Sequence, residues 1–227
     1  MAMQQLGNRA VEQPRPDVAS GQAVRVAEHG LAGHPHALHL ASASGPLAAR
    51  DLADAVHLLC SLYGRHPGLV ELALGYAPAG PVRDWLAAAS DAFERERLYL
   101  VRLTAAVGPL PSTPGSAETE SVLGAQRHAI ETLALSERRG CALGATTALV
   151  ADWGAVRAVL DRAALRMGVD VPACSLPGSA AIAAVIHAAI DGLAAERALG
   201  FGAEQLLLQN RGLFDLLEAR AEARGDA

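Results

Sequence analysis

The chain contains no lysine: all 19 of its basic residues are arginine. Schiff-base catalysis, pyridoxal-phosphate anchoring and a P-loop lysine are excluded together, because each needs an amine or ammonium that a guanidinium does not replace. Cysteine is nearly as scarce. Cys60, Cys141 and Cys174 are widely separated and odd in number, which makes neither a disulfide framework nor paired zinc ligands and fits a reducing cytosol. Aromatic residues are only 4% of the chain, and no segment alternates with the two-residue period of a strand. A net charge of −5 comes without any basic run, so no nucleic-acid partner is expected. The N-terminal stretch lacks the apolar core of a secretion signal. The closest approach to a span, "AAIAAVIHAAI", carries a histidine and is short of the roughly 18 to 20 residues that cross a bilayer. A cytoplasmic protein with no membrane partner is the expectation.

What the chain does have is alanine and leucine, in runs separated by glycine and proline. With 227 residues it is long enough to bury a substantial core without covalent staples. From residue 47 the texture is that of packed helices. The spacing predicts helices over 47–63, 68–74, 81–107, 116–150, 153–167, 179–199 and 203–222. Asp152 is read as a cap that restarts the chain, and Gly200 and Gly202 as a break before the last helix. Apolar stripes recur at spacings of three and four: Leu52, Val56, Leu59 and Tyr63 in the first, and Trp153, Val156, Leu160 and Ala163 later. Residues 1–46 show no sustained period and are expected to be a flexible or irregular segment, followed by one helical domain over 47–222 and a short tail, 223–227. The fold class is therefore all-α: an antiparallel helical bundle of about six helices with an irregular N-terminal tail.

Five residues stand out as candidate ligand-binding groups. Glu96 interrupts the apolar stripe Trp85, Ala89, Phe93, Leu100 and Leu103, where an ionised carboxylate costs several kcal/mol unless it is paired. Arg95 and Arg97 in "ERER" are the nearest cations; a ligand is the other option. His128 and Glu131 in "QRHAIETLALSERRG" would share a helical face, as would His187 and Asp191 in "IHAAID", giving either local pairs or ligand-facing groups. Asn210 interrupts the stripe of the last helix and suits a register-setting hydrogen bond. "HPHALH" groups His34, His36 and His39, three potential zinc ligands without acidic or thiol neighbours in sequence.

No Glu-x-x-His occurs, so the ligand pattern of di-iron carboxylate bundles is missing; Arg97 stands where Glu94 would need a histidine. Neither Gly-x-Ser-x-Gly, His-Glu-x-x-His nor Cys-x-x-Cys is present. "GFGAEQ" lacks the third glycine and the preceding strand of a dinucleotide loop. Neither a catalytic residue nor a metal or other cofactor is assigned.

The stretches "ERERLYLVRLTAAVGPLPSTPG" and "QRHAIETLALSERRGCALGATTALVADW", within residues 94–153, resemble a family of uncharacterised all-helical proteins from alphaproteobacteria. In shape alone the long helices are similar to the ferritin-like superfamily. The resemblance implies helices and carries no activity with it. The expected function is a non-catalytic binding or assembly protein, with a protein partner or self-association. The alternative is a ferritin-like oxidoreductase or metal- or small-ligand-binding protein using Glu96, His128, Glu131 and His187.

Overall fold

Runs of strong helix formers punctuated by glycine and proline fold as the composition dictates. The computed structural model describes residues 17–225, and among these every regular element is helical. The order is α1 (Val18–His29), a 3₁₀ turn (Leu31–Gly33), α2 (Pro35–Ser42), α3 (Leu47–Tyr63), α4 (Leu69–Tyr76), α5 (Pro81–Ala106), α6 (Ser116–Ala134), α7 (Cys141–Met167), α8 (Ser179–Ala189) and α9 (Leu193–Arg224). Nine α-helices thus stand among the described residues where about six were expected.

Much of the difference lies in the N-terminal segment. The part of 1–46 within the described residues is not irregular: α1 and α2 are ordered, and Leu31 and Leu40 are fully buried. The aperiodic reading failed because these helices are short and bury polar groups along with apolar ones. Asp17 caps α1 through the backbone amides of Ala19 and Ser20. Gln22 donates to the Gly144 carbonyl and the Thr147 hydroxyl, both at 3.1 Å. The expectation for residues 1–16, and for 226–227 of the C-terminal tail, lies outside the described residues.

Two helix breaks also fall elsewhere than expected. The chain turns at 135–140, where Gly140 has φ +100°, and α7 then runs unbroken through Asp152. It turns again at Gly192, φ +140°, and α9 continues through Gly200 and Gly202. Both turns need a backbone that only glycine adopts readily. Gly202 serves packing instead. A Cβ there would fall 2.0 Å from the Cys141 carbonyl oxygen, and one on Gly144 would fall 2.0 Å from that of Leu199. These glycines let α7 and α9 touch backbone to backbone along the most extensive helix pair in the fold.

α7 is the hub and touches each of the other eight helices. Its length and composition would suit a bilayer, but 78% of its most apolar 18-residue window is buried inside the fold. A helix that is apolar all round belongs at the centre of its domain. Around it Trp153, Phe93, Tyr63 and Leu160 form the core, with Trp153 edge-on to Tyr63 at 5.4 Å and tilted on Phe93 at 4.7 Å.

Candidate ligand-binding site

The residues singled out in the sequence do not form one site. Glu96 is 1% exposed on α5, and its partners come from α7 rather than from Arg95 or Arg97. Trp153 Nε1 donates to Oε2 at 2.9 Å, and Arg157 Nη1 lies 3.2 Å from both oxygens. Arg157 also meets Asp161 at 3.2 Å, donates to the Pro172 carbonyl at 2.6 Å, and lies over the Tyr99 ring at 4.6 Å. The carboxylate is thereby fully engaged, a structural clasp between two helices. The signal was available: Trp153 and Arg157 are four residues apart and share a face. Arg97 instead pairs with Glu94 and Glu71, and Arg95 donates to Ser175. Burial opposes ionisation of Glu71, but hydrogen bonds from Arg97 and the Gly68 amide outweigh it and hold the carboxyl below its ordinary range.

Asn210 closes a second internal network. Its amide donates to Asp152 Oδ2 at 2.8 Å and its carbonyl accepts from the Tyr63 hydroxyl. Asp152, expected to cap a helix, is a mid-helix residue of α7; its other oxygen accepts the Leu31 amide at 2.7 Å and so anchors the 3₁₀ turn. Burial raises the Asp152 pKa, against the pull of those two hydrogen bonds. Burial likewise pushes the Tyr63 phenol up, reinforced by Asp152.

The two histidine pairs separate. His128 and Glu131 are both exposed on α6, and no hydrogen bond or ion pair joins them among the described residues; both prefer water. The expected pairing of His187 with Asp191 fails because α8 ends at Ala189 and Ile190 is extended, which takes Asp191 off the helical face. His187 is exposed, not buried, and its Nε2 meets Asp17 Oδ1 at 2.6 Å; this hydrogen bond is the main cause of the strongly lowered Asp17 pKa. Asp191 pairs with Arg139 at 3.1 Å. Of "HPHALH", His34 is buried and turned to Asp215 at 3.0 Å, while His36 and His39 stack at 5.9 Å. Among the described residues no three His, Cys, Asp or Glu side chains are placed to hold a metal ion together.

An open surface lies at one end of the molecule, where the α4–α5 turn and the α6–α7 and α8–α9 loops meet. A cleft of about 390 Å³ is lined by Tyr76, Ala77, Pro78, Val82, Leu86 and Ile190, among others. A second, of about 630 Å³, lies against the first turn of α9 and is lined by Leu193, Arg197 and Phe201 among others. Arg138 and Arg139 line both. The second cleft thus has three arginines against a single acidic residue, Asp191, in a chain that is acidic overall.

Local structure fixes the backbone that carries these arginines. The Arg138 carbonyl accepts the Cys141 amide at 2.9 Å, and its amide donates to Ser136 Oγ at 3.3 Å. Gly140 packs against α9 so closely that a Cβ would fall 2.6 Å from the Ala195 carbonyl oxygen. The loop is therefore fastened immediately after its two arginines. The Arg138 guanidinium lies 5.5 Å from the centre of the Phe201 ring, a cation–π contact, and among the described residues no carboxylate pairs with it. α9 begins at Gly192 without a side-chain cap, so its first-turn amides lack intrahelical acceptors and add positive potential to that wall. Apolar side chains stay in water beside this charge: Tyr76 is 76% exposed, Leu193 47% and Phe201 42%. None of these residues was singled out in the sequence except Asp191, because loops from three distant segments build the surface.

A family described as "Family of unknown function (DUF6975)" matches residues 26–225. No curated protein and no solved structure matches the chain significantly.

Proposed function

The chain belongs to that family of unknown function, and we propose that this member is a non-catalytic binding protein which takes an amphipathic anion at its arginine-lined end. One observation carries the reading: Arg138 and Arg139 stand between two open clefts, with Arg197 beside them and, among the described residues, Asp191 as the sole acid lining either cleft. Both cleft volumes fall within the few hundred to 1,000 Å³ typical of small-molecule sites. Guanidinium forks suit carboxylate, sulfonate or phosphate, and the exposed aromatic and aliphatic groups suit an apolar body attached to it. Binding is favoured over catalysis because neither cleft is lined by a nucleophile with an adjacent base, or by an acid–base pair, poised to act on a bound molecule. The surrounding helices, which we read as an antiparallel bundle, supply a rigid frame for the three loops.

Fluorescence titration with 8-anilinonaphthalene-1-sulfonate tests the reading. The folded protein is expected to bind the dye, and Arg138→Ala/Arg139→Ala to weaken binding about tenfold or more, as loss of two charge-assisted contacts implies. Binding that is absent, or unaffected by the double substitution, refutes it.

A further inference from the structure

The two clefts differ in chemistry, and the difference points to the shape of the ligand. The first is walled by Ala73, Ala77, Pro78, Val82, Leu86 and Ile190, and among the described residues no acidic side chain lines it. Apart from the two arginines, its side-chain polarity comes from Ser136 and the Tyr76 hydroxyl. Such a cleft rewards an apolar segment that needs no hydrogen bonds. Its alanine walls leave a groove with few bulky projections. At the mouth Arg139 already holds a carboxylate, that of Asp191, at 3.1 Å, and both partners are well exposed, at 70% and 66%. A pair so solvated is weak and exchangeable, and Asp191 shows how a ligand carboxylate would meet the same guanidinium. Arg138 rests on Phe201 at 5.5 Å and pairs with no carboxylate among the described residues, so it is placed to join.

We propose that the ligand is a linear acyl carboxylate, its head held by Arg138 and Arg139 in place of Asp191 and its chain laid in the alanine-walled cleft toward Leu86. This rests on the arginine-end reading above and names the ligand class for it. Charge complementarity fixes the head at the junction of the clefts, and the apolar lining fixes the tail on the α4–α5 side.

The test is isothermal titration of the full chain with acetate, butanoate, hexanoate and octanoate. Each methylene taken out of water is worth up to about fourfold in affinity, so Kd should fall about two- to fourfold per added carbon until the groove is filled. Ala188 lines the first cleft and is exposed, so Ala188→Trp fills the groove from outside without disturbing the core. In that variant the chain-length dependence should collapse, with octanoate binding no more tightly than acetate. If the dye binds through the arginines but the four carboxylates bind alike, or if Ala188→Trp keeps the full chain-length dependence, the acyl-chain inference is wrong and the arginine site stands. If dye binding does not depend on the arginines, both fall.

Discussion

Replacing Gly202 with alanine sets two opposed effects against each other in one substitution. Alanine is the better helix former by about 1 kcal/mol, so in an open helix position the change stabilises. At Gly202 the new methyl would lie 2.0 Å from the Cys141 carbonyl oxygen, 2.9 Å from its carbonyl carbon and 3.1 Å from its Cα. All three are backbone atoms of α7, so no rotamer relieves the contact; the two helices must part by an ångström or more. Separating the largest helix pair in the fold costs at least the roughly 1–3 kcal/mol typical of overpacking, and more where backbone rather than side chain must move. Taking a cost of about 3–4 kcal/mol for the backbone shift and offsetting it by the gain of about 1 kcal/mol in propensity, we expect a net loss of about 2–3 kcal/mol, a fall in Tm of roughly 4–12 °C for a chain of this size. Gly154 is the internal control: it lies in α7, and a Cβ there meets nothing within 4 Å. Gly154→Ala should raise stability by about 1 kcal/mol. Thermal and urea unfolding of both variants gives the answer. A Gly202→Ala protein that melts at or above the parent temperature would refute backbone contact between α7 and α9.

Glu96→Gln keeps a hydrogen-bond acceptor but removes the charge facing buried Arg157, so urea unfolding should show a loss of about 2 kcal/mol, and Glu96→Ala more; a metal-dependent loss instead would contradict the structural role. Asp152→Ala strands the Leu31 amide and the Asn210 side-chain amide at once, which should cost about 2–4 kcal/mol and speed hydrogen exchange in residues 18–42 relative to the rest. Burial lowers the His36 pKa from its ordinary 6.5, with His39 and His34 lowering it further and Glu218 and Asp51 opposing. The unfolded chain therefore takes up the proton first, so His36 costs stability as pH falls from about 6.5 through the folded-state value and no more below it. His36→Leu should flatten that part of a Tm-against-pH curve; an unchanged curve would refute the assignment.

The helical fold was legible because periodicity records burial. Trp85, Phe93, Leu100, Val156 and Leu160 read as core from spacing alone and are buried. Breaks were misplaced because a glycine in sequence does not say whether it turns the chain or lets another backbone approach: Gly140 and Gly192 turn it, Gly200 and Gly202 do not. Glu96 and Asn210 were recognisable as polar interruptions, but their partners, Arg157, Trp153, Asp152 and Tyr63, are set by packing across helices. The arginine end left almost no local trace. Arg138 and Arg139 sit in a stretch whose spacing reads as the middle of one helix over 116–150, and their meaning comes from Ile190, Phe201 and Tyr76, brought alongside by the fold.

Amide chemical-shift mapping locates the ligand most directly. On titration of isotope-labelled protein with 8-anilinonaphthalene-1-sulfonate, the largest shifts should fall in three separate segments: 76–82, 136–143 and 188–201. Shifts centred instead on the Asp17–His187 pair, on His36 and His39, or scattered over the surface would show that the arginine-lined end is not where this protein binds.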